Sequence, residues 1–222
     1  MTAKPPIKTV LYDLDGTLVD NFQAIYASYC HALEQLGLAP VSYDTLKATV
    51  GGSVPITMAK LIGEEQAREA VPHYDAYFAK HCLEGLFALP GARELVSALH
   101  KRGLRQGVFT NKSGCFARKI VKHLGWADAF AGVFGAEDTA WRKPQPAFTR
   151  HVIEQLGIDP ATTLMIGDSP FDIAAARAGD LRVAVVGTGS HTVEQLATEE
   201  ADGVYPDMPG LARAWFPETL RT

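Results

Sequence analysis

From Pro90 onward, short apolar runs alternate with amphipathic stretches, and this rhythm restricts the chain to one broad fold class. The strand candidates are Leu104–Phe109, Gly132–Phe134, Leu164–Ile166 and Val183–Val186, preceded near the start of the chain by Ile7–Leu11. The helix candidates are Gly91–Lys101, Ser113–Leu124, Ala147–Leu156, Phe171–Ala178 and Val193–Ala197. Strands that alternate with helices predict an α/β fold, a parallel sheet with helices on both faces. Local punctuation agrees. Ser169-Pro170 offers a cap followed by a proline at the first helical position, and Asp159-Pro160 marks another turn or helix start. Thr192 and Gln195 have capping-box spacing. Gly125, Gly157 and Gly179 each follow a helical pattern, where a left-handed residue is wanted.

Residues 19–89 read differently. They are helical throughout, over Phe22–Leu36, Tyr43–Thr49, Pro55–Leu61 and Glu64–His81, with no strand between. A helical block after the first strand predicts an inserted subdomain. Its connections, near Val19–Asn21 and Gly85–Pro90, are the natural hinges. The length of 222 residues suits one large domain carrying a smaller insertion, and 47% hydrophobic with 21% charged residues suits a folded globular chain.

Four segments at expected strand ends carry chemistry. Asp13-Leu14-Asp15-Gly16-Thr17 follows the first strand, and ligands of open parallel sheets bind beyond the carboxyl ends of strands. Two carboxylates so close call for a cation or a shared proton, and Gly16 lets the backbone approach a ligand. Thr110-Asn111 follows the strand ending at Phe109, before a helix starting near Ser113. A hydroxyl and free amides there can hold phosphate oxygens. Lys143 lies in Arg142-Lys143-Pro144-Gln145-Pro146, where prolines fix its direction and its compact charge suits a phosphate. Gly167-Asp168-Ser169-Pro170-Phe171-Asp172 follows the strand Leu164–Ile166. Asp168 suits a hard cation, and Asp172, one turn into the helix, can point back to the same place. Singly, each segment also reads as ordinary structure: an aspartate-rich turn, a helix cap, a surface lysine, two acids favouring a helix dipole. Their joint placement at four strand ends favours one site.

Written as DLDGTLVD, TNK, RKPQP and GDSPFD, the four segments resemble the motifs of the haloacid dehalogenase superfamily, in the branch that includes phosphoglycolate phosphatases. The resemblance spans essentially the whole chain. It implies a Rossmann-like core of residues 1–18 and 90–222 and a mobile helical cap of residues 19–89. It implies that Asp13 is a nucleophile forming an aspartyl phosphate and that Asp15 is the general acid and base. Thr110, the Asn111 backbone and Lys143 would hold phosphoryl oxygens. Mg²⁺ would be bound by Asp13, Asp168 and the Asp15 carbonyl, with Asp172 supporting the metal shell or its waters and orienting Lys143. An acid at position 15 favours phosphoryl chemistry over dehalogenation, because a leaving halide needs no proton. In the cap, Asp20 and the loop Gly51-Gly52-Ser53 are candidate substrate residues; no arginine accompanies the loop to grip a carboxylate.

The expected activity is hydrolysis of a small phosphorylated metabolite, phosphoglycolate-like compounds included. A β-phosphoglucomutase-like phosphomutase and a non-catalytic binding protein of the same fold are the alternatives. A formal charge of −4 without a lysine- or arginine-rich block argues against nucleic acid as a partner. Three distant cysteines, Cys30, Cys82 and Cys115, odd in number and without a CxxC pair, argue against a disulfide framework or a zinc site. No signal peptide or apolar membrane span is apparent, so no membrane partner and a cytoplasmic location are expected.

Overall fold

The computed structural model describes residues 5–220; the outermost ends of the expected core segments, residues 1–4 and 221–222, lie outside the described residues. The chain opens with β1 (Thr9–Tyr12) and the two-residue β2 (Val19–Asp20). Four helices follow: α1 (Phe22–Gln35), α2 (Tyr43–Thr49), α3 (Val54–Ile62) and α4 (Glu64–His81). Then come β3 (Phe87–Ala88), α5 (Ala92–Lys101), β4 (Arg105–Ser113), α6 (Gly114–His123) and β5 (Gly132–Ala136). The chain continues through α7 (Pro146–Leu156), β6 (Thr163–Gly167), α8 (Pro170–Arg177) and β7 (Arg182–Val186). It ends with α9 (Val193–Leu196), β8 (Gly203–Tyr205) and α10 (Met208–Trp215), apart from short 3-10 turns.

Six strands form one parallel sheet in the order β5-β4-β1-β6-β7-β8. Successive side chains of a strand point to opposite faces, and the two cores show it. Val10, Tyr12, Val108, Leu164, Ile166, Ala184 and Val186 pack with α5, α6 and α10 on one face. Leu11, Phe109, Met165, Val183 and Val185 pack with α7 and α8 on the other. Helices on both faces bury both sides of the central strands, which is why these read as short apolar runs.

The helices α1 to α4 pack on one another around Leu33, Met58, Tyr74 and Phe78. The two connections of this block pair with each other: β2 and β3 form an antiparallel ribbon, Val19 opposite Ala88 and Asp20 opposite Phe87. Among the described residues no helix is long and apolar enough to cross a membrane.

Several local expectations need correction. β4 does not stop at Phe109; it runs to Ser113, with an irregularity after Phe109, and pairing with β5 resumes at Ser113 opposite Ala136. Thr110 and Asn111 therefore lie on extended strand, and the helix begins at Gly114. Gly157 and Gly125 are left-handed as expected, but after α8 that conformation falls on Asp180 (φ 57°). Gly179 serves another purpose, since a Cβ there would stand 2.5 Å from the Thr149 methyl of α7. The edge strand β8 and helix α10 go beyond the sequence reading.

One buried polar chain ties β1 to its neighbours. The Tyr12 hydroxyl donates to Gln106 Oε1 (2.7 Å), and Gln106 Nε2 donates to the Val96 carbonyl (3.0 Å). Tyr12→Phe keeps the shape and strands a buried acceptor. It is expected to cost about 1–3 kcal/mol, read as a lowered urea midpoint with an unchanged slope.

Candidate active site

Asp13 is the first residue past β1. Its amide still donates to the Ile166 carbonyl of β6 (2.9 Å), so strand pairing delivers it to the sheet edge. The chain then turns back: Gly16 N donates to the Val19 carbonyl (2.8 Å) and Val19 N to the Leu14 carbonyl (3.0 Å), engaging the peptide groups around Asp15. Gly16 has φ +83°, and a Cβ on it would meet Gly189 Cα at 2.6 Å and Asp168 Oδ2 at 2.8 Å. Only glycine lets the β1 loop sit this close to the ends of β6 and β7.

β4, beside β1, supplies Thr110 and Asn111, both buried. The Thr110 hydroxyl accepts from Lys112 N (3.2 Å). The Asn111 side chain clamps the loop that carries Lys143, accepting from Lys143 N (2.8 Å) and donating to the Lys143 carbonyl (3.1 Å). The same amide donates to the Gly51 carbonyl (3.0 Å), a tie between the sheet edge and the helical block. Lys143 is accordingly no surface lysine: its side chain is 1% exposed, and its ammonium lies 3.2 Å from Asp13 Oδ1 and 2.5 Å from Asp172 Oδ1.

On the other side of β1, β6 leads to Asp168. It accepts from the Thr17 hydroxyl (3.0 Å) and from the backbone amide (3.0 Å) and hydroxyl (3.2 Å) of Ser190. Asp172, fully buried, accepts at Oδ2 from Asp168 N (3.1 Å), Ser169 N (3.0 Å) and the Ser169 hydroxyl (2.7 Å). These bonds complete a capping box on α8 and use both carboxylate oxygens once Lys143 is counted.

Burial pushes the Asp13 carboxyl up to about 6; Lys143 pulls it down and Asp172 adds to the rise. Burial, then Asp172 and Asp13, push Asp168 up to about 8. Burial alone would lower the Lys143 ammonium, but Asp13 and Asp172 outweigh it and raise it. Negative charge is thus in excess. Oxygens of Asp13, Asp168 and Asp172 lie within 4.8 Å of one another. An all-oxygen donor set with surplus negative charge fits a hard divalent cation. Asp13 and Asp168 have ligand capacity to offer, whereas Asp172 is spent on holding its neighbours.

Above this edge is a cavity. Asp13, Asp15 and Asp168 line its floor, while Gly51, Gly52 and Ser53, together with side chains of α1 and α4, line its roof. Asp20 lies off that wall, and its carboxylate accepts from Phe22 N (3.0 Å) at the start of α1. Residues beyond the sequence reading complete the site. Lys112 Nζ is 2.8 Å from Asp15 Oδ2 and 4.4 Å from the centre of the Phe78 ring of α4. Thr188 donates from its hydroxyl to the Gly16 carbonyl (2.7 Å). The signals for these were the lysine of TNK itself and Gly187-Thr188-Gly189-Ser190, a glycine-rich turn at a fifth strand end.

The haloacid dehalogenase-like hydrolase family matches residues 10–186. The chain belongs to this family. The phosphoglycolate phosphatase of Rhodospirillum rubrum is 34% identical over 215 residues, 92% of this chain and 89% of that protein. That of Agrobacterium fabrum is 34% identical over 224 residues, 97% and 95% of the two chains. Among solved structures, a predicted phosphatase from Clostridium acetobutylicum superposes with a TM-score of 0.88 at 25% identity, covering 95% of this chain and 98% of that one. A predicted phosphoglycolate phosphatase from Haemophilus somnus, at 22% identity, shares the fold with a TM-score of 0.86 over 96% and 99% of the two chains. The hydrolase is a phosphatase, and phosphatases of its family are generally metal-dependent.

The raised carboxyls link metal to stability. Without metal, folded Asp13 and Asp168 keep protons that the unfolded chain, with carboxyl pKa near ~3.9, releases. Stability therefore falls as pH rises from about 4 toward about 8. A bound cation favours the ionised carboxylates and removes that loss. The gap in melting temperature between metal-saturated and EDTA-treated protein is expected to widen steadily from about pH 5 to about pH 8, as followed by circular dichroism.

Proposed function

We propose that this hydrolase cleaves small phosphomonoesters in two successive displacements at phosphorus, with Asp13 as nucleophile and Mg²⁺ as the metal. The observation that carries the reading is the convergence of Asp13, Lys143 and Asp168 at the ends of adjacent strands, with Asp15 two residues from Asp13 and facing the same cavity.

In the first displacement an Asp13 oxygen attacks phosphorus and the bond to the alcohol oxygen breaks. Asp15, as a carboxylic acid, gives its proton to the departing alkoxide. In the second, Asp15 as a carboxylate takes a proton from water, and that water's oxygen attacks the aspartyl phosphate. The Asp13–phosphorus bond breaks, the Asp13 carboxylate is restored and inorganic phosphate leaves. Lys143, the Thr110 hydroxyl and the Asn111 backbone hold the phosphoryl oxygens as their charge shifts. Lys112, bonded to Asp15, holds that carboxyl in place between the steps.

Asp13, Asp168 and the Asp15 carbonyl would hold Mg²⁺, and Asp172 supports them through its bonds to the Asp168 amide and to Lys143. When bound, the ion screens Asp13 from the anionic substrate and polarises the phosphoryl group. Residues 19–89 act as a cap that closes over the site and excludes water, pivoting at the β2–β3 ribbon. Partners are small phosphorylated metabolites, with neither nucleic acid nor a membrane involved, and the setting is the cytoplasm. The relatives' names make 2-phosphoglycolate one compound to test, and favour hydrolysis over the phosphomutase and non-catalytic alternatives.

Phosphate release from a panel of phosphomonoesters, with Mg²⁺ or EDTA, tests the reading. Release is expected only with the metal, and Asp13→Asn is expected to lower it by about 10³-fold or more. An Asp13→Asn enzyme of full activity, with deamidation excluded by mass spectrometry, would refute the covalent route.

A further inference from the structure

The cavity has two sides of different chemistry. At Asp13 it is built for phosphate. The side formed by α1, α4 and the end of β5 is aromatic and acidic. Tyr29 and Phe22 of α1 and Tyr74 and Phe78 of α4 line it, with Tyr29 and Tyr74 ring centres 4.7 Å apart. Two further carboxylates line it as well, Asp75 of α4 and Glu137 just past β5.

We propose that this side selects phosphomonoesters whose alcohol carries a positively charged nitrogen. The proposal rests on the phosphatase reading above and adds the substrate class to it.

Charge carries the argument. Among the described residues, no lysine or arginine forms an ion pair with Asp75 or Glu137. Among the described residues that line this side the cation is Lys112, 6% exposed and already paired with Asp15 at 2.8 Å; Lys47, outside the lining, stands 5.0 Å from the Phe22 ring centre. A substrate carboxylate would have to draw Lys112 away from Asp15 while lying against two acids. A substrate ammonium would meet those acids and the faces of aromatic rings, which attract cations. The wall already shows that attraction, because the Lys112 ammonium stands 4.4 Å from the Phe78 ring centre.

Placement supports it. The Ser113 hydroxyl donates to Glu137 Oε2 (2.6 Å), so this acid is held in position. Burial and then Glu137 push the half-buried Asp75 carboxyl upward, the response of two acids without a cation between them. An independent observation points to a ligand: Ser53 is 4% exposed, lines the cavity, and its hydroxyl has no hydrogen-bond partner. A buried hydroxyl left so is costly unless a ligand completes it.

Three substrates of similar length and different charge provide the test: 2-aminoethyl phosphate, 2-hydroxyethyl phosphate and 2-phosphoglycolate. With the Mg²⁺-loaded enzyme, kcat/KM is expected to fall in that order, by about tenfold or more from first to last. Asp75→Asn with Glu137→Gln should erase the order, and Asp75→Asn alone should weaken it, with melting curves confirming that both variants fold. Preference for the glycolate or hydroxyethyl ester overturns the proposal, as does an order that survives both variants. Hydrolysis of p-nitrophenyl phosphate, run alongside, separates the two failures. If it proceeds without the expected order, the substrate class is wrong and the phosphatase stands. If neither it nor the three esters is cleaved, both fall.

Discussion

The ammonium of Lys143, enclosed between Asp13 and Asp172, is the interaction on which the rest of the site depends. Enclosing charges this thoroughly is expensive, and removing one partner leaves another uncompensated. The arrangement holds because Asp172 serves three ends at once. It caps α8, fixes the backbone at Asp168 and Ser169, and anchors the lysine. Secondary structure and chemistry therefore share a single carboxylate, and α8 cannot loosen without disturbing Lys143.

Topology explains why four distant segments meet. β1 lies between β4 and β6, so the residues that follow these three strands are neighbours whatever their separation in sequence. The loop after β5 is then drawn inward by the Asn111 clamp. Glycines at 16 and 189 close the gap between loops, since a Cβ at either would collide with Asp168. The sheet supplies proximity, and the side-chain bonds turn proximity into a defined constellation.

How much of this was legible depended on the range of the interactions. The central strands could be read because burial on both faces makes them continuous apolar runs. β8 could not, being three residues at the sheet edge, half-buried, with little apolar sequence. The β2–β3 ribbon was invisible because its pairing joins Val19 to Ala88, and no local pattern encodes that. Asp13, Asp15 and Asp168 stood out through motif and strand-end position. Lys143 by itself resembles a solvated lysine, and its burial is decided by carboxylates far away in sequence. Asp75 and Glu137 carry no motif; that a half-buried acid of α4 and an exposed acid after β5 line one cavity is decided by the packing of α4 over the sheet edge.

The β2–β3 ribbon has a bearing on how such a molecule diversifies. Because the polypeptide departs from the sheet and rejoins it at one spot, the intervening helices span almost no distance as the sheet sees them. Closing a longer or shorter excursion between two adjacent ends changes the entropy only slowly with length. A lineage could therefore exchange the whole helical block for another, and with it the roof of the cavity, without moving a single strand of the edge that carries Asp13, Thr110 and Asp168.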